Sequence, residues 1–369
     1  MKIHPACAVL LLGAALIFGC SDAATPTGSA GAGGGNSAGS QNGGSGGAGA
    51  NGAGANSGGA NNGGGSSAGA SAAAGSGGVS GSAGSATAGG SSGAGTGGGG
   101  THVSGRSAGC MKPVTDSPTE WTTHNIQVTV AQEYAADFSS RVYFTRPPKN
   151  YDPSKAYPVI VWGQGCGQSQ AENTQITGGP GADNAIQVEL LANPKNHNCY
   201  SAGPDGDHAN SPELPYFDAA LAEAEATFCI DTGKVYMAGW SSGGWLSALV
   251  SCTRSNVIKG VAWASAGLQV NHPECVGPVP AVIERGVDDG GTELARTEAA
   301  RESIRVRNGC STETEAWDPG ETAFETSTCV SYKGCMPGYP LVWCPIPGGH
   351  NNGGKLATFG YWKFWTALP

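Results

Sequence analysis

Between residues 23 and 106 the chain contains no phenylalanine, tyrosine or tryptophan and a single charge, Arg106. With almost no large apolar side chains, this tract cannot bury enough surface to offset the entropy of ordering it, which excludes a folded domain there. Long hydrophobic runs are also missing. The longest, residues 8–19, is too short to cross a bilayer as a helix. No Cys-x-x-Cys pair occurs and no cysteines gather with histidines, which speaks against a zinc site. Basic blocks are absent too: setting aside Lys2, Asp22 and Arg106 takes the net charge from −9 to −10. Nucleic acid is therefore excluded as an expected partner.

What the first hundred residues do contain is glycine, with 33 of the chain's 63 between residues 23 and 106. A Gly/Ala/Ser/Asn coil of that length has a root-mean-square reach of about 50 Å. Ahead of it stand Lys2, the apolar run and Ile17-Phe18-Gly19-Cys20. That ending resembles the lipobox of bacterial lipoproteins, although Phe18 is bulkier than the usual residue there. The resemblance implies a signal peptide over 1–19, a lipid on the Cys20 thiol and a tether over 20–106. Membrane contact is then expected only through the lipid. Ser21 resembles outer-membrane sorting, so the expected location is extracytoplasmic, at the outer membrane or cell surface.

Residues 107–369 are long enough for one domain with a sizeable core, expected to be monomeric. Ten cysteines remain there (110, 166, 199, 229, 252, 275, 310, 329, 335 and 344), an even number that suggests up to five disulfides in an oxidising compartment. Apolar runs bounded by turn residues predict strands at 125–130, 141–145, 157–162, 234–238, 258–263, 279–284 and 339–344, with a short one near 199–202. Helical patterns predict helices at 184–192, 216–228, 245–252, 293–307 and 356–367. Such alternation predicts an α/β fold, with a mostly parallel sheet and helices on both faces.

Gly-x-Ser-x-Gly occurs six times, at 35–39, 43–47, 65–69, 89–93, 105–109 and 239–243. Five of these lie in or at the edge of the glycine tract. Only the last, Gly239-Trp240-Ser241-Ser242-Gly243, follows an apolar strand (KVYMA) and precedes a helical pattern. A strand-to-helix turn lifts a serine hydroxyl clear of a sheet, and it is tight enough that residues two before and two after must lack side chains. Ser241 is therefore the candidate nucleophile. On such sheets an acid and then a histidine should follow, each just beyond a strand. Asp288 and Asp289 follow one strand, with Gly286-x-x-Asp289 spacing favouring Asp289; His350 follows the last, in Pro347-Gly348-Gly349-His350. The backbone N–H groups of Ser242 and of Cys166, in the small-residue turn Gly163-Gln164-Gly165-Cys166-Gly167, are the candidate oxyanion donors. Gln164 and Trp240 are candidate substrate contacts. The polar loop 204–213, with Asp205, Asp207, His208 and Glu213, lacks calcium-loop spacing and reads as a rim of the substrate site.

These residues bring a family with them. AGC at 108–110, VIVWGQGCG, FCIDTGKVYMAGWSSGG, Gly-x-x-Asp at 286–289, RNGC at 307–310 and VWCPIPGGH together resemble the esterases of the carbohydrate esterase family 1 type. That type includes feruloyl esterases and polyhydroxybutyrate depolymerases, and the fungal feruloyl esterases look most similar. The resemblance implies an α/β-hydrolase fold, a Ser241–His350–Asp289 triad, no metal and no organic cofactor. It also implies a hydroxycinnamate ester of plant polysaccharide as substrate, with polyhydroxyalkanoate or acetyl-xylan esters as alternatives. A tethered binding protein without catalysis is the alternative of another class. Disulfides Cys110–Cys229, Cys252–Cys275 and Cys310–Cys335 are implied as well; for the four cysteines left over, Cys166–Cys199 and Cys329–Cys344 are expected. Two positions depart from the family pattern: Gln164 and Arg285 stand where relatives carry histidine.

Overall fold

The computed structural model describes residues 105–168, 179–200, 210–268, 274–320, 329–350 and 359–369. By its contacts the chain divides into Met1–Thr87 and Ala88–Pro369. The first unit lies outside the described residues, and with it the signal segment, Cys20 and most of the tether. The described chain begins at Gly105, whose carbonyl accepts from Thr232 N–H at 2.9 Å.

Ten strands form one sheet: β1 (Thr122–Gln127), β2 (Ser140–Arg146), β3 (Tyr157–Gly163), β4 (Ile186–Leu190), β5 (Ile230–Trp240), β6 (Gly260–Ala264), β7 (Ala281–Gly286), β8 (Thr314–Ala316), β9 (Val330–Tyr332) and β10 (Leu341–Ile346). Their spatial order is β1-β2-β4-β3-β5-β6-β7-β10-β9-β8. The six strands from β4 to β10 are mutually parallel, and antiparallel strands close both edges. Helices α1 (Ala135–Phe138), α2 (Pro180–Asn184), α3 (Glu213–Thr227), α4 (Ser242–Thr253), α5 (Gly291–Arg307) and α6 (Gly360–Thr366) complete it. Central strands alternate between two buried clusters, as side chains two residues apart share a face. Val159, Val161, Val235 and Met237 pack with Phe217 and Leu221 of α3, Leu246 and Leu249 of α4 and Ile304 of α5. Ile160, Trp162, Tyr236 and Ala238 pack with Tyr361, Phe364 and Trp365 of α6. This is the α/β-hydrolase arrangement that the resemblance implies.

Three expectations are corrected. Residues 184–192 form no single helix: α2 ends at Asn184 and β4 begins at Ile186. The apolar residues Ile186, Val188 and Leu190 recur every second position. Gln187 and Glu189 between them are also buried, which a strand covered on both faces rarely shows. Of the short strand expected near 199–202, Cys199 makes only an isolated bridge to Asn193, and residues 201 and 202 lie outside the described residues. Glu213, read as part of a polar rim, opens α3 fully buried, while residues 204–209 of that loop lie outside the described residues. Strands β8 and β9, three residues each, were too short for the pattern to show.

All five disulfides form as expected: Cys110–Cys229, Cys166–Cys199, Cys252–Cys275, Cys310–Cys335 and Cys329–Cys344. Five such bonds belong to an extracytoplasmic protein. Among the described residues no helix is long and apolar enough to cross a membrane.

One buried ion pair ties the β2 edge to α3. Arg141 Nη1 donates to Glu213 Oε2 at 2.7 Å with side chains 2% and 1% exposed. Arg141 also donates to the Leu191 carbonyl at 3.0 Å and lies 3.9 Å from the Tyr216 ring centroid. Removing one partner strands the other charge in the interior, at a cost of about 3–5 kcal/mol. Glu213→Ala should therefore lower unfolding free energy by about that amount in denaturant titration. A loss below about 1 kcal/mol would show that water reaches the guanidinium.

Candidate active site

The site is built at the carboxyl ends of the parallel strands, where open α/β sheets place ligands. Strand β5 ends at Trp240 and α4 begins at Ser242, leaving one residue for the reversal. That residue, Ser241, has φ 55° and ψ −120°, a region where a side chain is strained and which is found mostly at functional sites. Its neighbours hold it there. Ser241 N–H donates to the Ala264 carbonyl of β6 at 3.0 Å, and its carbonyl accepts from Trp245 N–H at 3.1 Å. The two glycines of the motif are required by contact. A Cβ on Gly239 would lie 2.3 Å from the Gly243 oxygen, and one on Gly243 would lie 2.0 Å from the Gly163 oxygen. Among the other serines of this pattern only Ser107 is described. It is buried, donating to the Phe228 carbonyl at 2.6 Å and accepting from Ile230 N–H at 2.8 Å.

Three expected residues meet. His350 Nε2 lies 2.8 Å from Ser241 Oγ, and His350 Nδ1 lies 3.1 and 3.2 Å from the two Asp289 oxygens. A carboxylate only accepts, so Nδ1 carries the ring proton and Nε2 turns its lone pair to the hydroxyl. The Asp289 side chain is 4% exposed and that of His350 37%, so the acid is enclosed while the imidazole faces the solvent side. The two aspartates differ in position. Asp288 is exposed and uses its N–H on the Gly348 carbonyl at 3.0 Å, whereas Asp289 is buried against the ring.

Two residues hold this arrangement. Arg285 Nε donates to the Gly286 carbonyl and its Nη2 to the Val287 carbonyl, both at 3.0 Å, while Nη1 reaches Glu298 at 3.3 Å. The arginine therefore brackets the turn that carries Asp289. Trp240, expected at the substrate, donates from Nε1 to the His350 carbonyl at 3.0 Å, with the two rings 5.4 Å apart. It is half-buried, and a Cβ on Gly165 would meet its ring at 2.5 Å. The indole is thus wedged between the histidine loop and the turn after β3. Neither role was readable, because each depends on which backbone carbonyl comes within reach after folding.

Gln164 does not fit its expected role. It is fully buried, and its Nε2 donates to Glu189 of β4, so its side chain points into the sheet rather than toward a substrate. Its backbone stays close to the elbow, its carbonyl oxygen lying 2.6 Å from where a Gly243 Cβ would be. Ser242, first in α4, is buried, and its N–H belongs to the helical turn whose donors lack intrahelical acceptors. Cys166 is exposed and bound to Cys199. Among the described residues no group of three or more His, Cys, Asp or Glu side chains could hold a metal ion.

Comparison with known proteins places the chain. No protein-family model matches it. It is 30% identical over 256 residues to feruloyl esterase D of Neurospora crassa, spanning 66% of this chain and 82% of that protein. To feruloyl esterase C of Emericella nidulans it is 25% identical over 246 residues, 62% of this chain and 85% of that one. A solved CE1 ferulic acid esterase of Anaeromyces mucronatus superposes with a TM-score of 0.44 at 15% identity, covering 68% of this chain and 90% of that chain. On the first of these relationships the chain is a carboxylic-ester hydrolase and belongs to the feruloyl esterase family.

Proposed function

We propose that the protein is a serine esterase that releases hydroxycinnamate, ferulate above all, from esters on plant cell-wall polysaccharide. The observation that carries the reading is the unbroken chain Asp289–His350–Ser241, with contacts of 3.1 and 2.8 Å at the ends of β7, β10 and β5. Ser241 attacks the ester carbonyl as His350 Nε2 takes its proton. The resulting imidazolium is stabilised by the buried Asp289, which also fixes the ring's tautomer. Developing charge on the carbonyl oxygen is met by the N–H groups of Ser242 and Cys166, with the N-terminal end of the α4 dipole behind the first. The protonated imidazole returns its proton to the departing alcohol oxygen, and water then repeats the sequence on the acyl-enzyme. The substrate class comes from the relatives, which bear the feruloyl esterase name; the polyester and acetyl-xylan alternatives are not favoured. A binding protein without catalysis would have no need of the strained backbone at Ser241.

Expected kinetics are specific. Ser241→Ala should lower kcat on methyl ferulate by about six orders of magnitude and abolish labelling by a fluorophosphonate probe. Asp289→Asn, which keeps the shape but misdirects the tautomer, should lower kcat by about four orders. Wild-type protein that remains unlabelled at Ser241, or a Ser241→Ala variant with unchanged turnover, would remove the serine mechanism. Hydrolysis of hydroxybutyrate oligomers in preference to methyl ferulate would instead move the substrate class.

The exported form proposed here begins at Cys20, acylated on its thiol, followed by the glycine-rich tether. In a bacterial host, wild-type chain should incorporate an alkyne fatty acid and sediment with membranes. Cys20→Ala should lose the label and leave the membrane fraction. A label retained by that variant would place the lipid elsewhere.

A further inference from the structure

The turn expected to supply an oxyanion donor is held from outside by residues 198–200, and one of them ties it to both β4 and α4. Tyr200, fully enclosed, donates its phenol proton to the Leu190 carbonyl at 2.6 Å and accepts from Gln164 N–H at 3.1 Å. Its own backbone N–H donates to Ser242 Oγ at 2.8 Å. A single residue thus joins the end of β4, the turn after β3 and the first residue of α4. Its neighbours continue the strap: Cys199 is bonded to Cys166, and the Asn198 carbonyl accepts from Gly167 N–H at 3.0 Å. His197 and Asn198 are held at φ 55° and 53°, a left-handed conformation that two successive non-glycine residues keep only when their surroundings impose it.

We propose that Tyr200 is a positioning residue for the oxyanion-binding turn, fixing the distance between the Ser242 and Cys166 N–H groups through Ser242 Oγ and Gln164 N–H. This rests on the serine esterase reading and adds a residue to it. Oxyanion donors act by being in place before charge develops, so a shift in their spacing weakens binding of the transition state more than binding of the ester. Burial first, with Tyr216 and Glu213 nearby, pushes the phenol well above its ordinary range, so it remains a donor throughout the working pH of an esterase.

The test separates spacing from folding. Tyr200→Phe keeps the ring and deletes the acceptor for Gln164 N–H. Per titrated active site, kcat on methyl ferulate should fall about ten- to a hundred-fold with KM within about two-fold. Affinity for an aryl trifluoromethyl ketone, whose serine adduct carries the oxyanion, should fall by the same factor as kcat/KM, while product ferulate binds as before. Ser242→Ala removes the acceptor of the Tyr200 N–H while leaving the Tyr200 side chain and its bonds in place, and should show the same split; it carries the test if Tyr200→Phe does not fold. Wild-type kcat and ketone affinity in either folded variant, or a raised KM at unchanged kcat, would overturn the proposal. Wild-type protein that turns over no ester would overturn the esterase reading itself.

Discussion

Gly243, in the first turn of the helix that follows Ser241, lies so close to the Gly163 carbonyl that no β-carbon could stand between them. On that contact the rest of the site depends. It brings the end of β3 against the start of α4, so the turn that follows β3 lies beside the helix N-terminus. The same closeness on the other side, between Gly239 and Gly243, compresses the reversal to one residue. Ser241 takes the positive φ because no other backbone path joins the two elements within that space. The strain is offset by its hydrogen bonds to Ala264 and Trp245 and by the packing of α4 on β5 and β6.

Parallel register then does the assembly. Strands β5, β6, β7 and β10 are paired in parallel, so their carboxyl ends emerge along one edge of the sheet. The serine leaves from β5, the acid from the turn after β7 and the histidine from the loop after β10. Ile346 pairs with Gly286, which places the Gly348-Gly349 backbone against that glycine and the ring next to the acid. The two ionisable members have opposite surroundings. Asp289 is enclosed where solvent screens its charge little, and His350 opens to the side from which a substrate would arrive.

Much of this could be read before folding, for a physical reason. Gly-x-Ser-x-Gly between KVYMA and a helical pattern carries its own steric explanation; strand order points to His350 and to the pair Asp288-Asp289, and the Gly286-x-x-Asp289 spacing favours the second aspartate. The middles of the parallel strands, such as 157–162 and 235–238, were legible because both faces there are apolar; the first part of β5, from Ile230, was not. Strand β4 was not, because Gln187 and Glu189 occupy buried positions and give IQVEL the composition of a helix. Those residues are buried for reasons outside the strand: Glu189 accepts from Gln164, and Arg146 reaches Gln187 at 3.5 Å. Arg285 and Trp240 were visible as letters but not as roles. A long side chain that donates to a carbonyl of its own loop, or of one 110 residues away, leaves no periodic mark in the sequence.

The same buried polar groups account for the placement of Gln164. Its side chain turns into the sheet and engages the buried side chain of Glu189, so the turn presents its backbone rather than this amide at the end of β3. A buried carboxyl group without partners would be costly, and the Gln164 amide is one of the groups that satisfy Glu189 there. Such a network tolerates few alternative geometries, because moving one member leaves another unsatisfied in a low-dielectric interior. The turn after β3 thereby acquires a fixed anchor on β4 as well as on α4. Its placement comes from hydrogen bonds to its buried neighbours and from the disulfide at its rim.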